Sequence, residues 1–182
     1  MAGIELCNEF TFHEVCKECG VLGNKHQSKA DEEERSISKL SDSDKIYLFL
    51  SSSIPDETVH NYLSLVSLLK DPHLRLVMRG MTHGLADRTA NTQYFSRILK
   101  ENLDCRDTAQ PCARFKTNIL FKPSLFAKYE INQVPVLVYD NGKDIFVIKG
   151  DAGLGYLLGR INHQLQSKNL AGLIRKIEGH LF

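Results

Sequence analysis

The sequence contains no apolar run that approaches the ~18 residues needed to cross a bilayer as a helix, so we expect no membrane span. It also has no excess of charge, because 23 basic and 22 acidic residues leave a formal net charge of +1. This balance argues against a dedicated nucleic-acid or membrane-surface protein. The first residues, Met1–Cys7, lack the basic start and apolar core of a signal peptide. We therefore expect either a cytosolic protein or a mature fragment with a new start codon.

Cysteines are too sparse for a disulfide scaffold, since there are five in 182 residues. They fall at Cys7, Cys16, Cys19, Cys105 and Cys112. An odd number means that, if the others pair, one thiol stays free, binds a metal or bonds to another chain.

The composition divides the chain into two parts. Residues 1–43 form an N-terminal extension that holds three of the cysteines and ends in a polar linker. Residues 44–182 have the regular apolar patterns of a folded domain, interrupted by an irregular loop insertion at 103–121 and closed by C-terminal helices. With 42% hydrophobic residues, the chain has enough apolar material for a core.

The first half of the domain alternates strands and helices. The short apolar run Ile46–Leu50 predicts a strand that is buried on both faces, and a helix follows from about Pro55 to the Asp71-Pro72 stop. Leu74–Met78 predicts a second strand, and the next helix is expected over about 87–102. This strand–helix–strand order predicts parallel strands with a right-handed crossover.

The second half predicts an antiparallel hairpin. Val134-Pro135 opens an apolar run, and Asn141-Gly142 turns the chain into Ile145–Ile148. Asn-Gly between two strands predicts a type I′ turn, in which both central residues have positive φ. Residues 115–121 are compatible with either a short strand or an ordered connection, and Pro123 opens a short helix.

The resulting fold class is α/β, with a central mixed β-sheet flanked by helices. Proline has no N–H for a ladder and is confined to strand starts and edges. A proline that opens an internal hairpin strand is similar to what thioredoxin-like folds show, where the peptide bond before it is cis. The whole order of elements matches that arrangement.

Four stretches carry a more specific resemblance. They are IYLFLSSSIP at 46–55, LVMRGM at 76–81, KPSLFAKYEINQVP at 122–135 and KGD at 149–151. Together, in this order, they resemble the TrbC family of F-type conjugative transfer systems over residues 44–165. The resemblance implies a periplasmic, thioredoxin-like pilus-assembly component that works with the TraW and TraU proteins of the type IV secretion apparatus. We expect no cofactor and no nucleic-acid partner.

The redox motif of this fold is missing from its usual place. An oxidoreductase needs two cysteines after the first core strand, at the N-terminus of the next helix, where the first thiol becomes acidic. That place is occupied by Ser51-Ser-Ser-Ile-Pro-Asp56, which contains no sulfur. The primary hypothesis is therefore a non-catalytic assembly factor that binds other envelope proteins. The candidate partner-binding residues are Ser52, Ser53, Pro55, Arg79, Val134, Pro135 and Asp151.

The cysteines leave alternatives open. Cys16 and Cys19 have redox spacing but precede the first core strand, and with His13 and His26 they could supply four zinc ligands. A structural disulfide or free thiols explain the same residues. Cys105 and Cys112 are candidates for a disulfide that closes a small loop. The alternative functions are a thiol–disulfide oxidoreductase or isomerase with a displaced cysteine pair, and a zinc-stabilised binding module.

Overall fold

The computed structural model describes residues 40–81, 84, 86–108 and 110–180. The predicted extension thus lies outside the described residues, apart from 40–43. The elements in chain order are β1 (Lys45–Leu50), α1 (Asp56–Leu69), β2 (Leu74–Met78), α2 (Arg88–Ile98), β3 (Ile119–Phe121), α3 (Pro123–Lys128), β4 (Val136–Asp140), β5 (Ile145–Lys149), α4 (Leu154–Leu165) and α5 (Lys168–Gly179). In this part of the chain, no helix combines the length and apolarity needed to cross a membrane.

The five strands form one mixed sheet in the order β3-β2-β1-β4-β5. Strands β1, β2 and β3 are parallel, whereas β4 runs antiparallel to β1 and β5 antiparallel to β4. Because β1 lies at the centre, four of its six residues are buried, on both faces of the sheet, which explains its continuous apolar sequence. The predicted α/β class with a central mixed sheet is confirmed.

The two faces of the sheet are covered unequally. On one face, alternate strand residues such as Ile46, Leu48 and Leu76 pack against the apolar sides of α1, α2, α4 and α5 in the larger core. On the other face, Phe49 and Val77 belong to a smaller cluster whose helical members come from α3 and the residues after it. The short helix α3 therefore shapes the second face, and it also leads into β4.

The helix predicted over 87–102 is shorter than expected. It begins after Asp87, whose Oδ1 accepts a hydrogen bond from the Ala90 N–H, and it ends at Ile98. The carbonyl of Leu99 accepts a hydrogen bond from the Phe115 N–H at 2.8 Å, so the chain leaves the helix to pair with the end of the insertion. Of residues 115–121, only Ile119–Phe121 forms a strand, paired with β2 at the edge of the sheet.

The predicted type I′ turn is wrong. Gly142 has a φ of +86°, but Asn141 is not among the residues with positive φ. Four residues separate the paired ends of β4 and β5, and Asn141 Oδ1 accepts hydrogen bonds from the N–H groups of Lys143 and Asp144 at 2.8 and 2.7 Å. An asparagine side chain that bonds to the backbone two residues ahead forms its own turn, and this contact replaces the two-residue geometry.

The insertion contains a disulfide between Cys105 and Cys112. Its base is closed by a hydrogen bond from Glu101 N–H to Ala113 O at 2.9 Å. Asp107 Oδ1 accepts a hydrogen bond from the Cys112 N–H at 2.7 Å, and this bond is the main cause that lowers the pKa of the Asp107 carboxyl. His60 of α1 holds the insertion against the domain, since its Nε2 lies 2.8 Å from the Lys100 carbonyl oxygen.

Candidate functional site

A groove lies where β1 and β2 end and the chain approaches β4. A cavity of about 370 Å³ there adjoins one of about 560 Å³ beside α3, and the two share Arg79, Phe126, Ile131 and Asn132. We name this continuous surface the Arg79 groove. Its lining residues are Ser51, Ser53, Arg79, Pro123, Phe126, Ala127, Glu130, Ile131, Asn132, Gln133 and Val134. The carboxyl ends of strands in α/β sheets are common ligand sites.

The serine turn forms one wall of the groove. The hydroxyl oxygens of Ser51 and Ser53 lie 2.6 Å apart, and the Ser53 N–H donates to Ser51 Oγ at 3.2 Å. Ile54 anchors the turn in the larger core with only 6% of its surface exposed. Pro55 precedes the first residue of α1 and supplies no side-chain cap to it. The two hydroxyls thus bond to each other, and the turn presents a polar, sulfur-free edge at the N-terminus of α1.

Arg79 connects the two sides of the groove. Its Nη2 donates to the carbonyl oxygen of Ile131 at 2.8 Å, and its guanidinium carbon lies 5.0 Å from the centre of the Phe126 ring. A guanidinium has five N–H donors, and this is its single hydrogen bond to another described residue. The exposed side chain can therefore hold the loop before β4 and still offer charge and donors to a ligand.

The loop before β4 contains the peptide bond predicted to be cis, and Val134-Pro135 is cis in the structure. Strand β1 pairs Phe49 with Val136, and just beyond this pair Ser51 and Val134 line the same cavity. The Pro135 carbonyl accepts a hydrogen bond from the Gly150 N–H at 3.1 Å. The backbone N–H and C=O of Val134 form no hydrogen bond with any other described residue, which leaves them available to a ligand.

Other predicted residues lie beside the groove without lining it. Ser52 and Pro55 are exposed on the serine turn, and Pro135 is half-buried behind Val134. Asp151 is exposed beyond β5. Burial, assisted by the negative charge of Asp151, raises the pKa of Tyr62 to about 12. The Tyr62 hydroxyl on α1 donates to the carbonyl of Ala152, the next residue, at 2.8 Å, so the chain beside Asp151 lies against α1.

Sequence reasoning missed a network that fixes the end of α3. Asp140 is buried at the end of β4, and its Oδ2 accepts hydrogen bonds from Tyr129 Oη at 2.7 Å and Lys128 Nζ at 3.0 Å. Burial by itself would raise the pKa of the Asp140 carboxyl, but the hydrogen bonds from Tyr129, Gly142 and Lys128 outweigh it and lower that pKa. Hydrogen bonds to Tyr129 and Asp140 raise the pKa of the Lys128 amine in turn. In the sequence, Asp140 indicates only a turn, and Lys128 and Tyr129 indicate only the end of a helix. In the structure, their contacts position the loop before β4 that lines the Arg79 groove.

The turn after α3 was also missed. Glu130 has a φ of +52°, and the Ile131 N–H donates to the Phe126 carbonyl at 2.8 Å. Glycine or asparagine is the usual sequence signal for such a left-handed helix end, and the chain has neither at this position. Ile131 is then buried, while Asn132 and Gln133 are exposed along the groove.

The described cysteines do not line the Arg79 groove. The described cysteines are Cys105 and Cys112, which are bonded to each other in the insertion. Cys16, Cys19, His13 and His26, the candidate redox pair and zinc ligands, lie outside the described residues. Within the part of the chain that the structure describes, no three His, Cys, Asp or Glu residues are grouped to hold a metal ion.

A mixed sheet with a parallel strand–helix–strand half, an antiparallel hairpin and a cis-proline beside the end of the first strand defines a thioredoxin-like protein. Among the described residues, no cysteine lines the groove of that fold. The chain belongs to the TrbC family, described as type-F conjugative transfer system pilin assembly proteins, because the family model matches residues 48–160. The predicted family is thus confirmed.

Among solved structures, the chain is similar to MTB DsbF in its mixed oxidized and reduced forms, with 13% sequence identity and a TM-score of 0.37. That match covers 66% of this chain and 79% of the DsbF chain. No curated protein sequence matches the chain.

Proposed function

We propose that this protein acts in conjugative pilus assembly as a non-catalytic, periplasmic binding module whose Arg79 groove holds a segment of another envelope protein. The family supports the role in pilus assembly. Proteins similar to TraW and TraU are the candidate partners, as the family resemblance implies. The proposal adds the site, the mode of binding and the compartment to that role.

One observation carries the proposal: the binding surface of the fold is present, but none of the described residues that line it is a cysteine. Ser51 and Ser53 line the groove where an exchange enzyme would place its cysteines. A serine hydroxyl cannot form or exchange a disulfide, whereas the surrounding cavity and backbone can still bind a polypeptide. The Cys105–Cys112 disulfide, which needs an oxidising compartment to persist, supports a periplasmic location.

The backbone of Val134 favours an extended partner segment. Its N–H and C=O can pair with a strand laid along the groove, as in β-strand addition, where main-chain hydrogen bonds give affinity. The groove adds the Arg79 guanidinium and the exposed amides of Asn132 and Gln133. These groups favour a segment with a carboxylate side chain opposite Arg79, because an arginine–carboxylate pair is a strong, charge-assisted contact.

Complementation of a conjugative plasmid that lacks this gene tests the proposal. Arg79→Glu reverses the charge in the groove, and we expect it to lower transfer at least about tenfold, as the loss of a central interface residue does. The matched control is Arg160→Glu on α4, because Arg160 is exposed and forms no ion pair with a described residue. Equal transfer by the two variants, at equal protein levels, would contradict the proposal.

Reduction of insulin by the purified protein separates this proposal from a displaced-cysteine oxidoreductase. We expect no turnover, because the described groove contains no thiol and Cys112 is buried with 7% of its surface exposed. Catalytic turnover that disappears in Cys16→Ser/Cys19→Ser or in Cys105→Ser/Cys112→Ser would establish the oxidoreductase instead and identify its cysteine pair.

A further inference from the structure

A third cavity lies at the opposite end of the sheet, where β2 and β3 begin. It has a volume of about 380 Å³, and we name it the basal cavity. Its lining residues are Val66, Lys70, Asp71, Pro72, Leu74, Arg75, Lys116, Thr117, Asn118 and Leu120. Arg75 lies on β2 and Arg79 directly follows its last residue, four positions or about 13 Å further along the chain. The basal cavity is therefore separate from the Arg79 groove, and no part of the proposed function depends on it.

The basal cavity concentrates positive charge that no ion pair among the described residues neutralises. Lys70, Arg75 and Lys116 line it, and none of them takes part in an ion pair among the described residues. The one carboxylate in the lining, Asp71, already accepts a hydrogen bond from the His73 N–H at 2.9 Å.

The lining thus has a formal charge of +2 from three cations and one anion, in a chain whose total is +1. Val66 and Leu74 form an apolar floor, with 6% and 4% of their surface exposed. Like charges beside a low-dielectric wall repel each other more strongly than in water, and the same wall strengthens their attraction for an anion.

We propose that the basal cavity binds a phosphate group. A phosphate monoester carries about −1.5 to −2 charges at neutral pH, which matches the +2 of the lining. The Arg75 Nε donates to the Pro72 carbonyl at 3.2 Å, so the two terminal nitrogens remain for phosphate oxygens, and the lysines act as point charges. Thr117 and Asn118 add polar side chains to the same wall.

The cavity is larger than the ligand group itself. Its 380 Å³ far exceeds the ~10–15 Å³ that one water needs on the same measure, so it has room for a phosphate and for part of the molecule that carries it. That molecule is either a soluble phosphate compound or an anionic phospholipid whose headgroup enters the cavity. Both present a phosphate group to Lys70, Arg75 and Lys116.

Titration of the full chain with sodium phosphate at constant ionic strength tests the site, with backbone amide shifts as the readout. We expect saturable shifts confined to residues 70–75 and 116–118. Lys70→Gln and Lys116→Gln should each weaken binding about threefold, and the double variant about tenfold. Lys143→Gln is the matched control, since it removes the same charge from the β4–β5 turn at the other edge of the sheet. Unchanged spectra elsewhere confirm that the variants fold.

Sedimentation with vesicles distinguishes the two sources of phosphate. One set contains phosphatidylcholine alone, and the other contains equal parts of phosphatidylcholine and phosphatidic acid. Binding to the second set that the double variant loses identifies a lipid headgroup, and binding of free phosphate without vesicle binding identifies a soluble ligand. The proposal is overturned if neither ligand binds, or if the double variant binds both as the wild type does.

Discussion

The Arg79 groove and the disulfide insertion differ in what holds them together. The groove is fixed by non-covalent contacts around Phe126, whose ring lies at 84° to that of Phe49 with centres 4.8 Å apart. The insertion is closed by the Cys105–Cys112 bond and by exposed charges around Asp107. An exchange enzyme keeps reactive sulfur in its groove. In this chain the described cysteines lie in the insertion, so the surface that can bind is separate from the loop that is cross-linked.

We therefore expect a substitution in the Arg79 groove to leave the insertion intact, and a substitution in the insertion to leave the groove intact. The groove depends on the packing of the buried Phe126 ring and on the buried Asp140 carboxylate. Substitutions of these residues should therefore lower both the free energy of unfolding and the affinity for a partner. The insertion depends on a covalent bond away from the Arg79 groove, so the loss of this bond should lower the free energy of unfolding without weakening partner binding.

Phe126→Ala should have the largest effect. Phe126 has 5% of its surface exposed and supports both Phe49 and the Arg79 guanidinium. Its truncation should lower the free energy of unfolding by about 3–5 kcal/mol, because a cavity remains beneath the groove. Urea unfolding measures this loss. Leu68→Ala is the control, since Leu68 is 52% exposed and should change stability by no more than about 0.5 kcal/mol. Equal losses would refute the packing role of Phe126.

Cys105→Ser/Cys112→Ser should come next. Removal of the cross-link frees an eight-residue loop in the unfolded chain, and the chain-entropy model gives a loss of about 2–3 kcal/mol. Urea unfolding of the oxidised wild type and of this variant measures the difference. Transfer in the complementation assay should stay at the wild-type level, provided that the variant accumulates normally. A stable variant that fails to complement would place function in the insertion.

Asp140→Asn tests the network behind the groove. It should cost about 1–3 kcal/mol at neutral pH, because Tyr129 and Lys128 lose their charged acceptor. The folded-state pKa of this carboxyl is lowered, so its stabilisation is complete above the unfolded value of ~3.9 and is lost as the pH falls below it.

The difference between wild type and Asp140→Asn should therefore shrink when unfolding is measured at pH values of about 3 rather than about 7. Asp144→Asn, in the exposed β4–β5 turn, should show little difference at either pH. A difference that grows in acid would contradict the lowered pKa.

Two tyrosine-to-phenylalanine substitutions should have the smallest effects, with opposite outcomes. The Tyr62 hydroxyl donates to the Ala152 carbonyl at 2.8 Å, so Tyr62→Phe should cost about 1 kcal/mol. The Tyr94 hydroxyl, on the helix that precedes the insertion, is buried without a partner among the described residues, so Tyr94→Phe should be neutral or stabilising. Thermal unfolding of both variants measures the two changes in stability. A larger loss of stability in Tyr94→Phe than in Tyr62→Phe would contradict the assignment of a hydrogen bond to Tyr62 alone.

Much of the fold could be predicted because its strands are short apolar runs with clear ends. Leu74–Met78 has the predicted bounds, and Pro123 opens a helix as expected. The edge strand β3 could not be predicted with certainty, because three residues give no periodicity and the strand exists only through its pairing with β2. The helix end at Ile98 depends on a distant contact with Phe115 in the same way.

The site could be predicted only where the fold determines its position. Ser53, Arg79 and Val134 follow or precede core strands, and the structure brings all three to one groove. Asp140 and Tyr129 were missed because their contact joins two elements, and nothing in the local sequence distinguishes a turn aspartate from a buried acceptor. Asp151 has a similar sequence position to Arg79 but lies beside Tyr62, since a strand end does not specify which neighbour it meets.

Calorimetric titration of the oxidised protein with the purified TraW-like and TraU-like proteins of the same transfer system tests directly whether the Arg79 groove is the partner site. If the Arg79 groove is the partner site, wild type and Cys105→Ser/Cys112→Ser should bind one of them with equal affinity. Arg79→Glu should bind it at least about thirtyfold more weakly. Unchanged binding by Arg79→Glu, or no binding to either protein, would contradict the claim that the groove is the partner site.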